Sequence, residues 1–416
     1  MGKHGRGGAG CRVDPLHQGW RGMSPSERRG GREKDASDSG ARPHEAPPLV
    51  TCPHCAMPVP AGAFCGHCGA HLTSASRSRR HAFAAVPSEA VAHVAIISTL
   101  FPHLPHRRGG AFRTALIAGI AAVVLLAALH LFAPATAAAT FLLPALYLLY
   151  LYEVEVYESE PWLVIGATMV AGVVLGYAFI TFAGGAVAHL NLTGDRENAF
   201  VLAGVALPIV AQALMLAGPL FLFLLGGRFR EPLDGLTFGA ASALGFTLSS
   251  SLAAFWPLIN GPLVATGAPL DWSLRLLQAG ILVSLVNAST TALIAASVWL
   301  HRYNRRRAGR PWASSILAAL VVAIGSQVLL ATLDLALPDL VTVVASRVLA
   351  TVAVLLYVRL VIHEALLAEG AEHEIGPDGP CPECHRVVPA MTFCPACGAA
   401  RAAAPKQGRP RPGGAA

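Results

Sequence analysis

Charge is scarce in this chain. Only 13% of its 416 residues are Asp, Glu, Lys or Arg, against about 25% in a typical soluble domain. With 54% hydrophobic residues and a mean hydropathy of +0.53, a soluble globular protein is excluded. The first 45 residues contain no apolar core, so no cleavable signal peptide is expected there. Two connecting stretches, 257–271 and 334–339, contain no Lys or Arg at all.

What is present is a series of long uncharged runs. About 20 apolar residues at 1.5 Å rise cross a hydrocarbon core of roughly 30 Å. Eight segments qualify: 115–133, 135–152, 162–188, 199–226, 235–256, 276–300, 312–333 and 340–362. The second follows the first after Pro134 and contains Pro144. The eighth holds two arginines. Arg359 lies near its end and is expected to snorkel, whereas Arg347 is deeper and is expected to face a polar partner.

The net charge is +7. Its distribution follows the positive-inside pattern better than a nucleic-acid surface, so nucleic acid is not the expected partner. Arginines occupy the N-terminal tail, the loop with Arg228 and Arg230, and residues 301–310. With eight spans every basic segment falls on one side, which places both termini in the cytoplasm of a plasma-membrane protein. The lipid bilayer is then the first partner.

Eight of the nine cysteines form two clusters on that side. The first reads CPHCAMPVPAGAFCGHCGA, with Cys52, Cys55, Cys65 and Cys68; the second reads CPECHRVVPAMTFCPACGA, with Cys381, Cys384, Cys394 and Cys397. Paired CxxC knuckles present four thiolates to one ion, and a reducing compartment favours metal over disulfides. Two structural zinc ions are therefore expected, with no open coordination position for catalysis. The copies align without gaps as an internal repeat. His54, His67 and His385 lie between or next to the cysteines and could substitute as ligands, but the four-cysteine set is already complete. Cys11 is left over.

The expected fold class is an all-α polytopic membrane protein of eight helices carrying two small cytoplasmic four-cysteine zinc ribbons. Its domains are a disordered basic tail (1–48), ribbon 1 (49–73), a linker (74–114), the transmembrane domain (115–362), a second linker (363–379), ribbon 2 (380–400) and a short tail (401–416). Asn191-Leu192-Thr193 is a sequon placed in a short outer loop.

Three segments carry a family resemblance: YEVEVYESEPW after the second span, PIVAQALM in the fourth, and DGLTFGAASALGFTLSSS opening the fifth. Together they resemble the PrsW family of intramembrane proteases, related to the CAAX-protease and bacteriocin-processing group. The third match is the most specific, retaining Asp234, Gly235, Phe238, Gly239, Leu244, Gly245 and Phe246. The resemblance implies a catalytic set of paired glutamates, a later glutamate and a histidine on a following helix. In this chain those positions are Ala211 and Gln212, Ser250 with Ser251, and Asn287; Gln327 stands where a further histidine is implied. None titrates near neutrality, so no catalytic residue is assigned. The serines lack a base and are not nucleophiles.

Gln212, Ser250, Ser251 and Asn287 are instead expected to converge on a neutral hydrogen-bonding cavity. The expected function is a pseudo-protease that binds a membrane client and presents its ribbons to a cytoplasmic protein. Two alternatives stand beside it: an active protease using Glu158 or Glu160, and a transporter or lipid-handling protein. Reporter fusions placed after Asp271 and at the C-terminus should report opposite sides of the membrane; agreement between them would exclude eight spans.

Overall fold

A computed structural model describes residues 48–53, 55–72, 110–153, 162–193, 195–225, 229, 232–260, 269–304, 315–370 and 375–401. Eight helices among these are long and apolar enough to cross a membrane. Helix α1 is Gly110–Ala128, α2 is Phe132–Glu153 and α3 is Trp162–Thr193. Helix α4 runs through Arg196–Leu225, α5 is Pro232–Ala254, and α6 leads from Pro269–Leu276 into Val283–Asn304. Helix α7 is Ile316–Ala336 and α8 is Leu340–Gly370. Both α4 and α6 include a π-helical stretch, at Leu202–Ala206 and Leu277–Leu282.

Several expected boundaries move. The break between α1 and α2 falls at His130, which has φ 56, rather than at Pro134. Pro134 sits in the first turn of α2, where a missing N–H costs nothing. The sequon is not in a loop: α3 continues through Thr193. Asp195 then caps α4 by accepting from the N–H of Asn198 at 3.3 Å. Helix α8 runs to Gly370, so the first half of the expected second linker is helical. That extension leaves Arg359 three turns inside the helix and fully buried, not snorkelling. Arg347 does meet a polar partner, pairing with Asp334 of α7. Asp334 therefore belongs to a helix rather than to a loop. The acidic segment with Glu155, Glu158 and Glu160, the basic loop with Arg228, Arg230 and Glu231, and His54 lie outside the described residues.

Helices α5 and α6 are the most buried of the eight. Small residues explain how α5 sits between α3 and α6. A Cβ at Gly245 would stand 2.1 Å from the carbonyl oxygen of Met169 on α3. At Gly239 it would stand 2.8 Å from Cα of Ala292 on α6. The backbones touch, and only glycine permits that spacing. Aromatic side chains fill the ends of the same seam: Trp299 and Phe238 are fully buried, and Phe229 packs edge-on against Phe238. The outer helices leave large apolar side chains exposed, among them Val124 on α1, Phe182 on α3 and Leu349 on α8.

Two small hairpins complete the structure. Strand β1 (Leu49–Thr51) pairs antiparallel with β2 (Pro58–Pro60), and β3 (Gly376–Pro380) with β4 (Val387–Ala390). The second hairpin starts four residues before the expected boundary at 380. Gly245→Leu should abolish the folded, monodisperse peak in detergent size-exclusion, since overpacking against backbone costs about 1–3 kcal/mol or more. Gly166→Leu, where a Cβ meets nothing within 4 Å, should leave the peak intact.

Candidate metal centres and the buried amide cluster

Each four-cysteine group grows out of two knuckles with one backbone pattern. In the first knuckle the N–H of Ala56 donates to the carbonyl of Cys52 at 2.9 Å, and Cys52 donates to Met57 at 3.0 Å. The same pair of bonds recurs at Gly69 and Cys65, at His385 and Cys381, and at Gly398 and Cys394. The residue that closes each turn is left-handed: Ala56 (φ 58), Gly69 (φ 72), His385 (φ 58) and Gly398 (φ 76). Glycine adopts that conformation without strain, while Ala56 and His385 do not. His385 is thus used for its backbone position, and neither it nor His67 belongs to a ligand group.

The sulfur geometry fits one tetrahedral ion per group. Cys52 and Cys68 are 3.8 Å apart and Cys55 and Cys65 3.7 Å. In the second group Cys381 and Cys397 are 3.8 Å apart and Cys384 and Cys394 3.9 Å. A tetrahedron with metal–sulfur bonds of about 2.3 Å has edges of about 3.8 Å. Four cysteines in each module could therefore hold a metal ion by geometry as well as by spacing. The thiols also favour a first ionisation in each group. The hydrogen bond from Cys68 lowers Cys65 to about 5 against its burial. Burial raises Cys55 to about 11. Hydrogen bonds from Cys394 and Cys397 likewise lower Cys381, while the bond to Cys381 raises Cys394 to about 11. A second thiolate beside the first needs a cation to compensate it.

In the helix bundle, the neutral residues singled out by sequence are brought together only in part. The side-chain amide of Gln212 on α4 donates to the hydroxyl of Thr291 at 3.0 Å, and its carbonyl accepts from Thr290 at 3.1 Å. Thr290 and Thr291 lie on α6. Asn287, one turn earlier on α6, donates to Thr247 of α5 at 2.9 Å and accepts from Gln327 of α7 at 2.7 Å. Gln327 also donates to Thr290 at 3.2 Å. A continuous chain of neutral groups thus ties α4, α5, α6 and α7. Thr291 ends it with a 3.7 Å contact to the sulfur of Met215.

Ser250 and Ser251 stand apart from this chain. Ser250 donates to the carbonyl of Thr247 on its own helix at 3.3 Å, and Ser251 has no bond to the cluster. The cluster is closed at Gln212 and partly exposed at Asn287 and Gln327. Gln212 is 1% exposed with both ends of its amide engaged. A small pocket nearby is lined by other residues, including Leu143, Tyr147, Ser284 and Ala288. Thr247, Thr290 and Thr291 were not anticipated as partners; their spacing on apolar helices reads as packing until α4 and α7 are placed beside them.

Two charged residues read in the sequence are buried in the bundle. Asp234 is buried at the start of α5, and Arg359 is buried on α8 above His363 and Glu364. Asp234 lies 13 residues before Thr247 on α5, about 20 Å at 1.5 Å per residue, so its carboxylate is remote from the amide cluster.

Metal analysis of the purified chain should find two zinc ions, and a value near one or zero would exclude a pair of four-thiolate sites. Release should set in as pH falls, because protons compete with the ion for the thiolates; the measurement is the metal bound after dialysis across a pH series. Comparisons of this chain with family models, curated proteins and solved structures give no match.

Proposed function

We propose that the chain is a multi-pass membrane protein built on a PrsW-like scaffold without peptidase chemistry, acting as a binding and regulatory module. One observation carries this. Gln212, Asn287 and Gln327, the three positions at which the resemblance implies a glutamate and histidines, meet in one hydrogen-bonded cluster. Their co-location is what an inherited active-site architecture would give; their chemistry is not.

Peptide hydrolysis needs a base to activate water and a charge or metal to hold the oxyanion. Amides and hydroxyls in this cluster supply neither, and they are occupied with one another. They serve instead as a neutral lock between helices, each bond adding about 0.6 kcal/mol on average in a bilayer. Lipid-facing surfaces such as those of α1 and α8, the eight long helices and the biased basic loops support insertion with both termini in the cytoplasm. The four-cysteine modules, taken as zinc ribbons, would then form the cytoplasmic docking unit for a protein partner, and the helix bundle would bind the membrane client.

The reconstituted protein should not cleave any of a panel of transmembrane reporter peptides above the rate of empty vesicles. Turnover that disappears in Glu158→Gln or Glu160→Gln, with folding intact, would overturn the proposal and assign the chain as an active protease.

A further inference from the structure

The two four-cysteine modules lie against each other, and their contact has a specific form. The N–H of Phe64 donates to the carbonyl of Pro395 at 3.0 Å, and the N–H of Phe393 donates to the carbonyl of Gly66 at 2.9 Å. In the internal repeat Phe64 corresponds to Phe393, and Gly66 to Pro395. The two bonds are thus the same bond made twice, related as in a two-fold dimer interface.

Side chains break that symmetry in a complementary way. Met391 occupies the position equivalent to Gly62. A Cβ at Gly66 would stand 2.2 Å from the sulfur of Met391, and a Cβ at Gly62 would stand 2.6 Å from the carbonyl oxygen of Pro395. Each large residue of the second module therefore covers a glycine of the first. Two copies of the first module would set glycine on glycine and leave a gap. Two copies of the second would drive Met391 into Pro395. Only the unlike pair fits, and both kinds of like pair are disfavoured.

Each module also needs the other to complete its interior. Met391 belongs to the buried cluster of the first module, with Cys52, Val59, Cys65 and Cys68. The ring of Phe64 lies over Gly398, which has φ 76 and could not carry a side chain there. Phe393 and Ala400 in turn join the buried cluster of the helix bundle that includes Ile362 and Leu366 of α8. The first module thus rests on the second, and the second on the bundle.

We propose that the two modules form an intramolecular clasp of unlike partners, in which each metal-bound module is the binding partner of the other. Residues 73–109 join the first module to α1, and α8 leads to the second. Pairing therefore links the chain ahead of the first long helix to the end of the last. Because both partners are on one chain, a small contact suffices: tethering supplies an effective concentration of about millimolar. Metal loading is then coupled. An ion lost from one module removes the surface that completes the other. The clasp does not depend on whether the helix bundle is catalytically inert.

The test is chelator-driven zinc release from the full-length protein in detergent, followed for both ions. Gly66→Leu alters only the first module's face and should release both ions roughly tenfold faster. Adding Met391→Ala removes the opposing side chain and should restore slow release. Acceleration of one ion alone, or no recovery in the double variant, would overturn the clasp; the latter would mean that Gly66 serves only its own module. A photo-crosslinking residue in place of Phe64 should join the peptide containing Gly398 within the same chain. Crosslinks exclusively between chains would likewise refute an intramolecular pair.

Discussion

At Gly245 a Cβ would stand 2.1 Å from the backbone of α3, and at Gly239 2.8 Å from the backbone of α6. Helix α5 is therefore held in backbone contact on two sides. That close approach sets the spacing of α5 from α3 and α6. It draws α6 near enough for Thr247 to reach Asn287, and through α6 it positions Gln212 of α4 and Gln327 of α7. A larger residue at Gly239 would push α6 from α5 and weaken the bond between Asn287 and Thr247, and a polar group left without its partner costs about 1–3 kcal/mol.

The amide cluster and the four-cysteine modules are two answers to the same problem of polar groups in small or apolar surroundings. In the amide cluster, neutral donors and acceptors satisfy one another across four helices without a charged group. In the modules, four thiols converge at sulfur separations of about 3.8 Å, and the electrostatic demand falls on a cation. Neither module buries enough apolar surface alone. The first borrows Met391 from the second, and the second contributes Phe393 to the bundle. Stability is thus shared along a series of contacts from module to module to helix.

Much of this was legible in the residues. Eight apolar runs correspond to eight helices because length and composition are local properties, and the four CxxC knuckles announce their ligand geometry by spacing alone. Boundaries were less legible. Pro134 suggested a break, yet it is harmless in a first helical turn, and the break lies at His130. Residues 363–370 carry a mixed composition that suggested a linker, yet they continue α8. Arg359 looked close enough to an end to reach water; the longer helix buries it.

The sequence by itself determined the number and type of the long helices, the neutrality of Gln212, Ser250, Ser251 and Asn287, and the two sets of four cysteines. These depend on residue identity and short spacing. Only the tertiary structure decided which neutral residues meet. Gln327 joins Gln212 and Asn287, while Ser250 and Ser251 turn to their own helix or stay apart, because helix rotation and the depth of packing at α5 are not encoded in any one segment. It also decided that the two modules pair, far apart as they are in the chain. Their repeat was readable, but the match of Met391 to Gly66 and of Pro395 to Gly62 is a relation between surfaces, and it exists only once both are folded.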